Sequence, residues 1–373
     1  MKNLTLRLVI ATAMIGAAFG ADVKTELVYV GSGKKNIYAY RMDLASGALS
    51  PLGTAAQIVD PSYFAIAPDR HFLYAVTEGA AAESSWISSF RIDSKTGKLA
   101  FVNKQPTGGA GPCFVEVDQR GKDALVANYN SGSFSVFPIN EGGALGAMSE
   151  LIQDHGSGPN PQRQKGPHAH CIVTGPDDRF AFGCDLGLDK VMVFKFDPEK
   201  GSLAANDPAF AVIKAGSGPR HISFHPNGQF AYVINEMSST LTVMACDLER
   251  GTLREIETQP LLASDFKGEN TAAEVAVHPS GKFVFASNRG EDGIAVFRCD
   301  PATGQLTFLE RDSTLGKVPR NFEIDPSGAF LLAANQNSGG VIIFSIDLST
   351  GHLQSTGNKI SVEQPMCVKC LAE

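Results

Sequence analysis

The chain has 373 residues, 43% of them hydrophobic and 19% charged, with a formal charge of −7. That is enough apolar side chain for a large core, and an acidic chain without a basic run is a poor candidate for binding nucleic acid, which rests on neutralising phosphates. Thirty-eight glycines, twenty prolines and a single tryptophan favour many turns over long helices.

The N-terminus reads as a targeting segment. Lys2 and Arg7 make a positive start, Leu8 to Phe19 is an apolar stretch too short to span a bilayer, and Ala18-Phe19-Gly20 is a small-x-small cleavage pattern. The expectation is a secretory signal peptide over residues 1–20 and one domain over 21–373, exported to the periplasm or beyond. The competing reading is a buried first strand or helix. Loss of Lys2 and Arg7 would take the formal charge from −7 to −9. No later apolar run is long enough to cross a membrane, so a soluble mature chain is expected.

Beyond that segment the sequence repeats itself. Leu27-Val-Tyr-Val30 and Asn36-Ile-Tyr-Ala-Tyr40 read as strands, followed by Gly47-Ala-Leu49. The same Gly-x-Leu recurs at Gly97, Gly143, Gly201, Gly251, Gly304 and Gly351, about every fifty residues, which is the spacing of propeller blades. Most copies follow a strand ending in Asp, such as Val193-Phe-Lys-Phe-Asp197, so each glycine belongs in the hairpin joining a blade's last two strands. A second motif precedes it in six copies. Examples are Ile222-Ser-Phe-His-Pro-Asn-Gly228, Val275-Ala-Val-His-Pro-Ser-Gly281 and Phe322-Glu-Ile-Asp-Pro-Ser-Gly328, each a strand, a turn and then an apolar run. The seventh first strand is Pro365-Met-Cys-Val-Lys-Cys370, at the far end of the chain. The fold class expected is therefore all-β: a seven-bladed β-propeller of four-stranded antiparallel blades, closed by placing N- and C-terminal strands in one blade. Closure removes exposed strand edges. An open β-solenoid is the alternative with the same repeats.

Seven cysteines cannot pair completely. Cys171 and Cys184 flank one turn and could bond across a hairpin in an oxidising compartment; the other reading is buried thiols. Cys367-Val-Lys-Cys370 lacks the second pair of a zinc site and the helix start of a redox motif.

Ring geometry turns the repeat into a map of one channel mouth. The start of each inner strand and the end of the next strand share a rim. Inner-strand entries are Ser62, Cys113, His170, Arg220, Ala273 and Arg320. The following strand supplies Thr77, Asn128, Asp185, Asn235, Asn288 and Asn335, then Glu78, Tyr129, Leu186, Glu236, Arg289 and Gln336. So many charges at one mouth point to a ligand site. Asn128, Asn235 and Asn288 either contact a ligand or cap strand ends. Arg220, Arg289 and Arg320 need anionic partners, either a ligand or Asp185 and Glu236. His225 and His278 read as turn residues. His168 and His170 fall on one face of an extended segment and are the acid–base candidates. They could also bind a metal, but no H-E-x-x-H motif or carboxylate-rich loop accompanies them, and neither metal nor cofactor is expected.

Pro-His-Ala-His170, Gly-Pro-Arg-His221, Asn-Glu236, Ser-Asn-Arg289, Ala-Asn-Tyr-Asn-Ser-Gly132 and Pro-Arg-Asn-Phe322, taken in order, resemble the bacterial 6-phosphogluconolactonase / fungal carboxymuconate-cyclising propeller family. The resemblance runs from about Leu27 to Cys370. It implies a seven-bladed propeller acting on lactones, by hydrolysis in one branch and by cyclisation in another. It also implies active residues at His168 or His170, Arg220, Glu236 and Arg289. A signal peptide departs from the cytoplasmic setting of a pentose-phosphate intermediate, so another lactone could be the substrate. The expectation is a lactone hydrolase using activated water, with His168, His170 or Glu236 as base. Arg220 and Arg289 would stabilise charge, while Arg320, Asn128, Asp185, Asn235 and Asn288 would bind substrate. The absence of a Gly-x-Ser-x-Gly elbow disfavours a covalent serine. The expected partner is an anionic small-molecule lactone and the expected state a monomer. The alternatives are a cyclising enzyme on the same rim and a non-catalytic binding propeller of the cell envelope.

Overall fold

A computed structural model describes residues 24–372, so the expected signal peptide lies outside the described residues. These residues form seven four-stranded antiparallel sheets. Six blades follow one another through the sequence: blade 2 over 63–106, blade 3 over 112–153, blade 4 over 169–212, blade 5 over 219–260, blade 6 over 271–313 and blade 7 over 319–361. Blade 1 joins the chain ends. Its inner strand, Pro365–Ala372, pairs with Thr25–Ser32, Val28 lying opposite Cys370, and Lys35–Asp43 and Leu49–Val59 complete it. Each inner strand neighbours the next all the way round, which excludes the open solenoid.

The burial pattern explains the sequence pattern. Second strands such as Phe230–Asn235 and Phe330–Asn335 are buried along their whole length, because neighbouring blades cover both faces. They therefore read as apolar runs. The outermost strand Leu353–Ser361 alternates between half-buried and exposed positions, as an edge facing water should.

The repeated glycines lie in the outer hairpins and join blades to each other. Gly304 and Gly351 have φ of +74° and +86°, and a Cβ on either would lie 2.5 Å from Phe230 or Phe283, the residue opening the second strand of the preceding blade. Backbone conformation and close approach both select glycine there. At the inner turns, the Nε2–H of His225 donates to the Gly281 carbonyl and that of His278 to the Gly328 carbonyl, both at 2.9 Å, while each Nδ1 accepts a backbone N–H of its own turn. The two turn histidines thus tie blade 5 to blade 6 and blade 6 to blade 7.

A feature of the rim decides what the channel mouth contains. In blades 3, 4, 5, 6 and 7 the inner strand slips register, between Pro112 and Phe114, Ala169 and Cys171, Pro219 and His221, Ala272 and Val275, and Pro319 and Asn321. The residues left unpaired include Cys113, His170, Arg220, Ala273 and Arg320. A bulge breaks the strict alternation of a strand, so two consecutive side chains can both serve the channel.

All seven cysteines are free; Cys171 and Cys184 sit opposite each other in register, fully buried, as thiols.

Candidate active site

Glu236 follows the second strand of blade 5 and is the hub of the mouth. Its Oε1 lies 2.5 Å from Arg163 Nη2, and its Oε2 lies 2.8 Å from Arg289 Nη2 and 3.2 Å from Arg220 Nε. The Arg220 contact has ion-pair distance without hydrogen-bond alignment. Arg220 is 2% exposed, and its Nη1 donates to the Ala273 carbonyl at 2.5 Å; Arg289 Nη2 donates to the Ala272 carbonyl at 2.9 Å. Burial alone would discourage ionisation of Glu236, but Arg289, Arg220 and Arg163 outweigh it and hold the carboxyl at about 2. Burial, with Arg220 and Arg320 nearby, brings the Arg289 guanidinium down to about 10 even against the attraction of Glu236.

The two histidines sit in different surroundings. His168 is half-buried and stacks on the Tyr129 ring, centroids 4.5 Å apart and planes 17° from parallel. Its Nδ1 lies 3.0 Å from the Tyr129 carbonyl oxygen. A ring nitrogen facing a carbonyl must carry the proton, so in the neutral ring Nε2 holds the free lone pair. His170 is buried, edge-on to Tyr129 and His221, with Nδ1 3.8 Å from Cys113 Sγ. Burial first, then Arg220 and the other surrounding cations, holds it well below the ordinary histidine range.

The remaining expected residues divide. Arg320 is half-buried and its guanidinium has no hydrogen bond or ion pair among the described residues; its charge is felt by Asp60, which burial raises to about 6. Asp185 is no partner of the arginines. It is fully buried and accepts the backbone N–H groups of His168 and Leu188, at 2.8 and 3.0 Å, beside Asp154, which burial and Asp185 push up to about 8. Asp185 therefore holds the His168 backbone in place. Asn128, Asn235 and Asn288 are all fully buried. Asn128 bonds Ser133 and Ser135, Asn235 bonds Thr240 and Thr242, and Asn288 bonds the Leu261 carbonyl and Glu291. Asn128 and Asn235 brace strand ends within their own blades, and Asn288 ties its blade to the segment that follows blade 5, all of them capping roles.

Two of the residues at this mouth were not singled out by the repeat. Arg163 lies in the segment between blades 3 and 4, outside any register, and its Nη2 also donates to Tyr129 Oη at 3.2 Å. Tyr129 does occupy a rim position, but only its contacts with Arg163 and His168 distinguish it from the other entries. Among the described residues no group of His, Cys, Asp and Glu is arranged to hold a metal ion.

The fold and site together define a seven-bladed propeller with three arginines gathered on one carboxylate at its mouth. The family model "Lactonase, 7-bladed beta-propeller" matches residues 27–370. A 6-phosphogluconolactonase of Bacillus subtilis (strain 168) is 36% identical over 344 residues, 92% of this chain and 96% of that protein. A 6-phosphogluconolactonase of Formosa agariphila is 34% identical, over 78% of this chain and 82% of its own. The solved structure of the Pseudomonas aeruginosa periplasmic gluconolactonase superposes with a TM-score of 0.88 at 34% identity, over 93% of this chain and 99% of that one. The chain belongs to the lactonase family of seven-bladed β-propellers, and it is an enzyme of the lactonase type.

Proposed function

We propose that the protein opens a sugar lactone, of the anionic 6-phosphogluconolactone class or the neutral gluconolactone class, by attack of a water activated at this mouth. The observation that carries this reading is the convergence of Arg163, Arg220 and Arg289 on Glu236, with Arg320, unpaired among the described residues, near enough for its charge to act on Arg220 and Arg289. Water attack puts negative charge on the lactone carbonyl oxygen, and buried guanidinium groups held in advance stabilise such charge without reorganising. Arg320, without an ion pair among the described residues, suits the phosphate that distinguishes 6-phosphogluconolactone from neutral gluconolactone.

His168 is the base in this scheme. Its Nε2 removes a proton from water as the oxygen forms a bond to the carbonyl carbon. The ring C–O bond then breaks, and the departing alkoxide takes that proton back from the imidazolium. Glu236, held at about 2, cannot accept a proton near neutral pH, so its part is to fix the three arginines. His170 is walled in by cations and serves as packing beneath them. We further infer that residues 1–20 direct export and that 21–373 function outside the cytoplasm as a single domain. The periplasmic Pseudomonas relative supports that reading.

The test is a panel of 6-phosphogluconolactone, gluconolactone and a carboxymuconate, followed by pH-stat and product analysis on the chain from residue 21. Opening of a sugar lactone faster than in buffer is expected. His168→Gln should lower kcat by about 10²–10⁴-fold with KM little changed, the usual worth of a general base. A folded His168→Gln enzyme with undiminished kcat would remove His168 from the mechanism. Turnover of the carboxymuconate alone would replace hydrolysis by cyclisation, and turnover of none would reject the enzyme reading of this mouth.

A further inference from the structure

One position past the rim residues, the inner strands contribute a second layer: Tyr63, Phe114, Cys171, His221, Glu274 and Asn321. The rings of this layer meet across the pore. Tyr63 stacks on Phe114 at 4.5 Å, and His221 meets Phe114, Tyr63 and His170 edge-on at 5.2, 5.9 and 5.1 Å. His221, Glu274 and Asn321 are each less than a tenth exposed. They form a continuous chain of hydrogen bonds across three blades. His221 Nδ1–H donates to Glu274 Oε1 at 2.8 Å, Asn321 Nδ2–H donates to Glu274 Oε2 at 2.6 Å, and Asn321 Oδ1 accepts the N–H of Val368 at 2.8 Å. Val368 belongs to the strand that closes the ring.

The other end of that chain is Arg220. Its Nη1 lies 3.5 and 3.3 Å from the two ring nitrogens of His221. Near-equal distances to both nitrogens put the guanidinium over the face of the ring rather than on an edge. The contact from Arg220 to Glu236 lacks hydrogen-bond alignment, so the carboxylate attracts the arginine without fixing its plane. The Ala273 carbonyl anchors Nη1, and the imidazole beneath it adds a flat neutral surface held at a set tilt. Burial, followed by Arg220 among the nearby charges, keeps His221 neutral, down to about 4, even though Glu274 favours its charged form. Burial would raise Glu274, but the His221 N–H, Arg220 and Lys369 bring it below the usual range.

We propose that Asn321, Glu274 and His221 form a positioning relay that sets the plane of the Arg220 guanidinium and links it to the ring-closing strand. The catalytic consequence rests on the lactonase reading of the mouth; the structural one does not. None of the three touches substrate in this scheme. They act through Arg220, and misplacing a charge-stabilising group by an ångström can cost about 100-fold in rate.

The relay has a donor–acceptor order that can be tested by exchange. Glu274 only accepts. Glu274→Gln would set an amide N–H₂ against either the Asn321 amide or the His221 N–H, a donor against a donor at one end of the relay. Adding Asn321→Asp restores an acceptor opposite that donor, leaves an oxygen for the Val368 N–H, and keeps one negative charge in the layer. Glu274→Gln is expected to lower kcat/KM for the sugar lactone by about 10–100-fold, and the double variant to recover most of it. A second readout needs no turnover: the ¹⁵N–Hε resonance of Arg220, assigned by its disappearance in Arg220→Lys. That resonance should be sharp in the wild type, broadened or shifted in Glu274→Gln and restored in the double variant. An unchanged Arg220 resonance in folded Glu274→Gln overturns the relay, whatever the rate does. So does a double variant no better than the single one in both readouts. If the wild type opens no lactone while the resonance follows the expected order, the relay stands and the lactonase reading of the mouth falls.

Discussion

Replacing Glu236 by glutamine keeps the shape of the side chain and removes the charge on which three arginines converge. The carboxyl falls from an ordinary 4.5 to about 2, and the side chain is 7% exposed, so solvent screens the interaction little. That shift corresponds to about 3 kcal/mol of preference for the ionised folded form. Breaking a buried ion pair from one side costs about 3–5 kcal/mol, a similar figure reached from a different direction. Spread over about 350 residues at ~2.1 cal/mol/K each, the loss lowers Tm by about 4–7 °C. The pH dependence has a definite sign. The folded-state value is depressed, so the stabilisation is complete above about 4.5 and is lost as pH falls toward about 2. Calorimetric melts of wild type and Glu236→Gln should therefore differ by a constant amount from pH 8 to 5, and the gap should close between pH 4.5 and 2. A Tm difference under about 1 °C at pH 7 would refute the picture of a carboxylate holding the arginines together.

Glu26 behaves in the opposite sense. It is 1% exposed, its Oε1 lacks a hydrogen-bond partner among the described residues, and burial followed by Asp325 raises its carboxyl to about 8. Its contribution is present at low pH and is lost as pH rises from 4.5 to about 8, so Glu26→Gln should stabilise the fold by an amount on the order of 2–4 kcal/mol at pH 8.5 and little at pH 5. Denaturant melts at the two pH values measure this, and equal effects at both would contradict it. For export, mass spectrometry of the protein purified from its native cells should find a chain starting at residue 21 in the periplasm or medium. An intact Met1 chain confined to the cytoplasm would reject the signal peptide.

The ring was legible in the sequence because its cause is local and repeated. Each Gly-x-Leu hairpin demands the same positive-φ backbone, and five of the seven glycines also seat a phenylalanine of a neighbouring blade, so the physical requirement recurs about every fifty residues and can be counted. The same register placed Arg220, Glu236, Arg289 and Arg320 at one mouth, since residues at equal depth in successive blades must share a rim. It could not separate bracing from binding: Asn128, Asn235 and Asn288 occupy rim register, yet their amides are bonded to hydroxyls and a carboxylate of their own blades and to the Leu261 carbonyl between blades 5 and 6. Three things came only from the tertiary structure. Arg163 reaches Glu236 from a segment outside the repeat, where register carries no information. The different surroundings of His168 and His170, on which the proposed role of His168 rests, come from a carbonyl and a ring supplied by Tyr129, far away in the chain, and from the burial of His170. His221 and Glu274 follow rim residues directly, and in an unbroken strand they would face away; the bulges return them to the pore. A repeating sequence specifies where each backbone runs, but which side chains meet in the middle depends on single-residue breaks in pairing and on contacts between blades, and these exist only once the ring has closed.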